Sequence, residues 1–372
     1  MIPQHGIRSH LLAGRSQWTL NRSNLPERWR RFSSSIIAGM LVCGACNGYG
    51  SDARSAFQKL IDRPRVEPGL RIENAGITND LWEAHFSFAS ERDVRVPGLL
   101  VEPTNQAARH PAAIVMHGTG GKKEDEWSLL RRLAQRGFVA AAIDGRQHGE
   151  RRQEGGSREY NAAIARAYEG SGEHPLYYDT VWDIERLVDV LQARTEVDST
   201  RIGLSGISKG GIETYLTAAA DERITAAVPF IGVQDFQWGI EHEAWRGRIG
   251  TFQSGFNMAA RNAGVTNAGP EFVRAFYDRV APGIYGEFDG PRMLELIAPR
   301  ALLMVNSDSD DHTPLTGVEN CDKAAQAAYA KLGASEHFAV IIQKNTGHRV
   351  NSSSEAAMID WFARWLKPDV SK

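Results

Sequence analysis

Arg201-Ile-Gly-Leu-Ser-Gly-Ile-Ser-Lys-Gly-Gly211 runs from a short apolar strand pattern through a turn into a helix expected over Lys209–Ala220. Inside it, Gly206-Ile207-Ser208-Lys209-Gly210 sets one serine between glycines two residues to either side. A serine hydroxyl is a weak nucleophile. It becomes useful when a sharp strand-to-helix turn lifts it toward a base and a carbonyl. Such a turn strains the serine backbone and brings strand and helix so close that neither flanking position has room for a side chain. It also places the N–H of Lys209 at the helix start, aimed at negative charge developing on a carbonyl oxygen. A glycine-rich turn with an ordinary surface serine has the same local signature, so the reading depends on partners elsewhere in the chain.

Outward from that stretch, apolar runs alternate with helical patterns. Residues 81–88 and 94–101 read as an antiparallel hairpin at a sheet edge. Residues 112–116, 138–143, 224–231, 301–305 and 338–342 are continuous apolar runs, as in strands buried on both faces. Helices are expected over 124–136, 180–194, 318–331 and 354–366, with Val181, Ile184, Leu187, Val188 and Leu191 on one face of the second. Residues 150–178 read as a long polar loop with a short helix near 160–169. Residues 233–292, rich in Trp, Phe and Tyr, break the rhythm and read as a helical insertion after the sixth strand. Most of its aromatics are expected to pack its own core. The pattern predicts an α/β fold with a mostly parallel central sheet and helices on both faces. In such sheets ligands bind at the carboxyl ends of the strands, where every candidate chemical residue falls.

A serine nucleophile needs a base, an orienting acid and an oxyanion hole. His348, in Asn345-Thr-Gly-His348 just beyond the last strand, is the candidate base. The candidate acids Asp308, Asp310 and Asp311 follow the 301–305 strand and are not separable by local logic. The loop after His117-Gly118 is the candidate oxyanion hole, through the N–H of Thr119 or Gly120 together with that of Lys209. His117 itself reads as a loop-packing residue.

Taken in order, these motifs resemble the α/β-hydrolase superfamily, and within it the dienelactone-hydrolase-like and prolyl-oligopeptidase-like serine esterases. The resemblance covers about residues 80–368 and implies a hydrolase domain over 81–368. It implies that His117-Gly118 opens the oxyanion loop, with the backbone of Thr119 as donor. Asp144-Gly-Arg146-Gln-His148-Gly149 resembles a stretch that is structural near the site in that family. Asp308-Ser-Asp310 with Thr313-Pro314 resembles its acid loop, in which the second aspartate is the acid, which selects Asp310. The function implied is hydrolysis of carboxylic esters through an acyl-enzyme on Ser208, with Asp310 and His348 completing the triad. A peptidase or amidase would use the same groups, and ester and peptide substrates side by side separate the two. A non-catalytic binding protein on the same fold is a further alternative, separated by fluorophosphonate labelling of the serine.

Composition sets outer limits. The 372 residues are 42% hydrophobic and 24% charged, enough for one large α/β domain. A net charge of −2 makes no electrostatic case for nucleic acid, and the expected partner is a small-molecule ester. The eleven histidines show no H-x-x-x-H spacing, so neither a metal nor another cofactor is expected. The apolar run 35–46 follows the basic segment Arg28-Trp-Arg-Arg-Phe32 and is too short to span a membrane. Residues 1–46 therefore read as a signal segment, predicting export without stable membrane insertion of the mature domain. Residues 47–80 read as a linker and lead-in. Cys43 and Cys46 fall in the signal segment, leaving Cys321 as the mature domain's thiol.

Overall fold

The computed structural model describes residues 48–104, 109–152 and 156–367. Residues 1–46, where the signal segment with Cys43 and Cys46 is expected, lie outside the described residues. Chain order begins α1 (Gly48–Ile61), β1 (Arg71–Thr78), β2 (Leu81–Glu91), β3 (Val94–Pro103), β4 (His110–Met116), α2 (Trp127–Gln135) and β5 (Val139–Ile143). It continues with α3 (Ser157–Glu169), α4 (Tyr178–Gln192), β6 (Val197–Ile207), α5 (Lys209–Ala220) and β7 (Ile224–Phe230). Five short helices follow: α6 (Phe236–Glu241), α7 (Arg246–Gly250), α8 (Gln253–Asn262), α9 (Pro270–Val280) and α10 (Gly290–Glu295). The chain closes with β8 (Ala301–Ser307), α11 (Leu315–Lys331), β9 (Phe338–Gln343) and α12 (Ser352–Leu366).

The strands form one sheet in the order β1-β2-β3-β5-β4-β6-β7-β8-β9. The first three pairings are antiparallel and those from β5 to β9 are parallel. The parallel strands β4, β5, β7 and β8 are buried along nearly their whole length, which their continuous apolar runs require. One face is covered by α1, α4, α5, α11 and the short helices, and the other by α2 and α12. The sheet's topology positions the site. From β4 the chain moves to one side to form β5, and it returns on the other side as β6. The carboxyl ends of β4 and β6 therefore flank a crevice at a topological switch point, with Met116 paired to Gly206.

Two parts of the sequence reading need correction. The hairpin of residues 81–88 and 94–101 is not at the edge, because β1 pairs outside β2 with Arg71 opposite Ser87. The insertion therefore follows the seventh strand. Residues 47–80 are also not a bare linker. Phe57 and Ile61, one helical turn apart on α1, are buried, and Phe57 packs edge-on against Tyr178 and Phe288 at 5.1 and 5.0 Å. Gln58 Nε2 donates to the Ala220 carbonyl at 2.9 Å, and Arg54 Nε to the Ala219 carbonyl at 2.8 Å, so α1 caps the end of α5. Phe57→Ala should lower stability by about 3–5 kcal/mol, read as a fall in denaturation midpoint at constant m-value. A shift near zero would make α1 the appendage that its sequence suggested.

The insertion's aromatics pack mainly with one another and with α3. Phe256 meets Phe272 and Phe276 at 5.2 and 5.1 Å, and Phe272 meets Tyr168 at 5.5 Å. Asn161 of α3 accepts the Gly255 N–H of α8 at 2.7 Å, tying the two segments together. Among the described residues no helix is long and apolar enough to cross a membrane.

Candidate active site

Ser208 sits between β6 and α5 with φ 57° and ψ −109°, a left-handed backbone that only the surrounding hydrogen bonds can hold. Its N–H donates to the Phe230 carbonyl at 2.9 Å. The two glycines are there for space. A Cβ on Gly206 would lie 2.5 Å from the Gly210 carbonyl oxygen, and one on Gly210 would lie 2.5 Å from that of Met116. The N–H groups of Lys209 to Gly211 open α5 and have no acceptor within the helix, which leaves them to the space in front of the serine.

The structure brings Ser208, His348 and Asp310 into one line. His348 Nε2 lies 2.7 Å from Ser208 Oγ, and its Nδ1 lies 2.7 Å from Asp310 Oδ2. Asp310 also accepts from Thr313 Oγ1 at 2.8 Å and from the His312 N–H at 2.9 Å. Burial alone would raise its carboxyl. The hydrogen bond and charge of His348, followed by the Thr313 bond, hold it below the ordinary carboxylate value instead. The other aspartates face elsewhere. Asp308 accepts from the N–H groups of Asn345 and Thr346 at 3.1 and 3.3 Å, fastening the His348 loop to the end of β8. Asp311 is exposed.

The oxyanion loop is oriented from behind by His117. The Gly145 N–H donates to His117 Nε2 at 3.0 Å, so the proton is on Nδ1, which donates to the Gly118 carbonyl at 2.8 Å. Burial, then the Lys209 charge, lowers the His117 pKa to about 4 and keeps the ring neutral in this role. Fixing the Gly118 carbonyl fixes the trans peptide that follows it, and with it the direction of the Thr119 N–H. A Cβ on Gly118 would stand 3.6 Å from Ser208 Cβ, so this peptide runs directly beside the serine. Gly120, the other candidate donor, is exposed with φ 82°.

Below Ser208 lies a buried charged layer that the sequence reading did not anticipate. Lys209 turns its side chain inward and pairs with Glu213 one turn on, both nearly inaccessible. Burial pushes the Glu213 carboxyl up to about 7 against the pull of the Lys209 ammonium. The stretch resembling a structural motif carries similar pairs. Asp144 accepts from the Lys123 N–H at 2.8 Å and from Lys123 Nζ at 3.1 Å, and Arg146 grips Asp183 through Nε and Nη2 at 2.8 and 2.9 Å. The i, i+4 spacing of Lys209 and Glu213 was visible in the sequence. Their burial was not, because charged pairs at that spacing usually face water.

Among the described residues two groups of His, Asp or Glu lie close enough to share an ion, namely Asp310, His312 and His348, and His85, Glu124 and Glu150. The first is already committed to internal hydrogen bonds, and Lys123 Nζ stands among the acids of the second at 2.7 Å from Glu124 and 2.5 Å from Glu150.

Residues 58–243, half of the chain, match the acetyl xylan esterase (AXE1) family. That span includes Ser208 and ends before Asp310 and His348. The Bacillus subtilis (strain 168) protein YtaP is 24% identical over 285 residues, covering 73% of this chain and 84% of its own length. YitV of the same organism is 31% identical over 151 residues, covering 38% of this chain and 54% of its own. Among solved structures, acetyl xylan esterase 1 from Thermoanaerobacterium sp. JW/SL YS485 superposes with a TM-score of 0.65 at 18% identity. It covers 86% of this chain and 94% of that one, sharing the α/β-hydrolase fold. The chain belongs to the acetyl xylan esterase (AXE1) family and is a carboxylic-ester hydrolase.

Proposed function

We propose that the protein removes short acyl groups, acetyl foremost, from hydroxyls of a carbohydrate through an acyl-enzyme on Ser208. The observation carrying this reading is the hydrogen-bonded line from Asp310 through His348 to Ser208, with α5 opening beneath the serine. Ser208 Oγ attacks the ester carbonyl as its proton passes to His348 Nε2. Asp310 holds the imidazole with its other proton on Nδ1 and stabilises the imidazolium that forms. The N–H groups of Thr119 and Lys209 receive the oxyanion. His348 then protonates the departing sugar oxygen, which leaves as the hydroxyl, and afterwards draws a proton from the water that releases the acid. The acetyl preference is supported by the family name alone.

The test is a substrate panel. Acetylated xylo-oligosaccharides and p-nitrophenyl esters from acetyl to octanoyl should show kcat/KM falling as the chain lengthens. Peptide p-nitroanilides should be cleaved about a hundredfold more slowly or worse, since the aniline nitrogen is a poorer leaving group than the phenolate oxygen. Faster cleavage of the anilides would replace this reading with the amidase alternative.

A further inference from the structure

Arg248, on α7, is only 3% exposed, yet no carboxylate lies within ion-pairing distance of it among the described residues. The other buried cations, Lys209, Lys123 and Arg186, pair with Glu213, Asp144 and Asp189. Arg248 Nε donates to Gln234 Oε1 at 3.0 Å, and the Gln234 amide donates to the His312 carbonyl at 3.0 Å. Its Nη2 is buried with no partner. A guanidinium taken out of water without a counter-charge is strongly unfavourable, and it is retained where an anion comes to meet it.

The surroundings place this cation beside the chemistry. A Cβ on Gly247 would strike the Asp311 carbonyl oxygen at 2.0 Å, so α7 lies directly against the acid loop. The His312 ring meets the His348 ring at 4.2 Å. The Tyr160 hydroxyl and the Trp245 indole N–H are also buried and without partners among the described residues. Tyr160 packs on His148 at 4.8 Å, and His148 on His117 at 5.1 Å, behind the oxyanion loop. The Arg248 charge reaches the phenols of Tyr160 and Tyr177. A small pocket at Arg248 is lined by Gln234, Asp235, Trp245, Tyr277 and Pro314, and the Asp235 oxygens in it are already taken by the Trp238 N–H and Asn320 Nδ2.

We propose that Arg248 forms a carboxylate-binding subsite beside the acid loop, so that the preferred ester carries a free carboxylate on the part held under the insertion. This rests on the esterase reading. The planar fork of the guanidinium matches a carboxylate, and its unused N–H groups supply the charge-assisted bonds.

Two matched pairs test it. The first is mono-p-nitrophenyl succinate against p-nitrophenyl butyrate, with the charge on the acyl side. The second is O-acetyl-lactate against O-acetyl-lactamide, with the charge on the alcohol side. In one pair the wild type should favour the charged member by about tenfold or more in kcat/KM. Arg248→Gln should erase that preference through KM, and Arg248→Lys should restore part of it. No charged preference in either pair, or a preference that survives Arg248→Gln, overturns the subsite. Should the variants not fold, the wild type alone decides. Succinate must inhibit p-nitrophenyl acetate hydrolysis competitively where sodium chloride of equal ionic strength does not, and its failure to do so also overturns the subsite. Absence of hydrolysis of every neutral ester by folded wild type sinks the esterase reading instead. In that event, stabilisation of the wild type by succinate in a thermal melt still reads the subsite, and its absence removes it.

Discussion

Ser208→Ala should lower kcat on p-nitrophenyl acetate by about four orders of magnitude or more and leave the fold intact. The substitution removes one oxygen, and that oxygen is the atom 2.7 Å from His348 Nε2. Nothing nearby can replace it. Ser205 is fully buried with its hydroxyl donating to the Val228 carbonyl at 2.8 Å. Thr180 contacts the Lys209 side chain beneath the turn. The elbow should survive, because its strain is held by backbone: the Ser208 N–H to Phe230, the close contact of Gly206 with Gly210, and the first bond of α5 from Ile212 to the Ser208 carbonyl at 3.0 Å. The expected change in stability is within about 1 kcal/mol. A fluorophosphonate that labels the wild type should not label the variant. Residual turnover above about one per cent in the purified variant would put the nucleophile elsewhere.

The central sheet was legible because its strands are buried on both faces and so read as unbroken apolar runs, such as 112–116 and 301–305. The elbow was legible because two glycines are required by sterics that a sequence displays directly. The edges were not. β1 is exposed along its whole length, so it has no apolar alternation to betray it, and only pairing with β2 makes it a strand. α1 was missed for a related reason: a stripe of two large residues, Phe57 and Ile61, becomes a packing face only when Tyr178 and Phe288 are brought to it from far along the chain. Three aspartates within four residues defeated local logic at the acid loop, and the choice of Asp310 rested on resemblance. The geometry separates them by what each carboxylate faces: backbone N–H groups at Asp308, the imidazole at Asp310 and solvent at Asp311. The buried layer around Lys209 and Glu213, and the unpaired Arg248, depend on tertiary neighbours that no spacing in the sequence predicts.

Asp310→Asn should cost about three to four orders of magnitude in kcat while removing no volume. The reason lies in which atom each carboxylate oxygen serves. Oδ1 accepts from the His312 backbone N–H, a donor that cannot reorient, and Oδ2 accepts from His348 Nδ1. An asparagine can satisfy the fixed backbone donor only with its carbonyl oxygen, which turns its NH2 toward the imidazole. His348 would then have to accept on Nδ1 and carry its proton on Nε2, facing Ser208 Oγ, where it cannot take the serine proton. Asp311→Asn should stay within a factor of about two, and Asp308→Asn should lose only what comes from loosening the His348 loop. Stability carries a second signature. The Asp310 carboxyl is held below its ordinary value in the fold, so its contribution is present above the unfolded carboxylate pKa and is lost as pH falls through the folded one. Melting temperatures of wild type and Asp310→Asn should therefore converge as the buffer is taken from pH 7 to about pH 3. Full activity in Asp310→Asn, with loss in either neighbour, would move the acid off this residue.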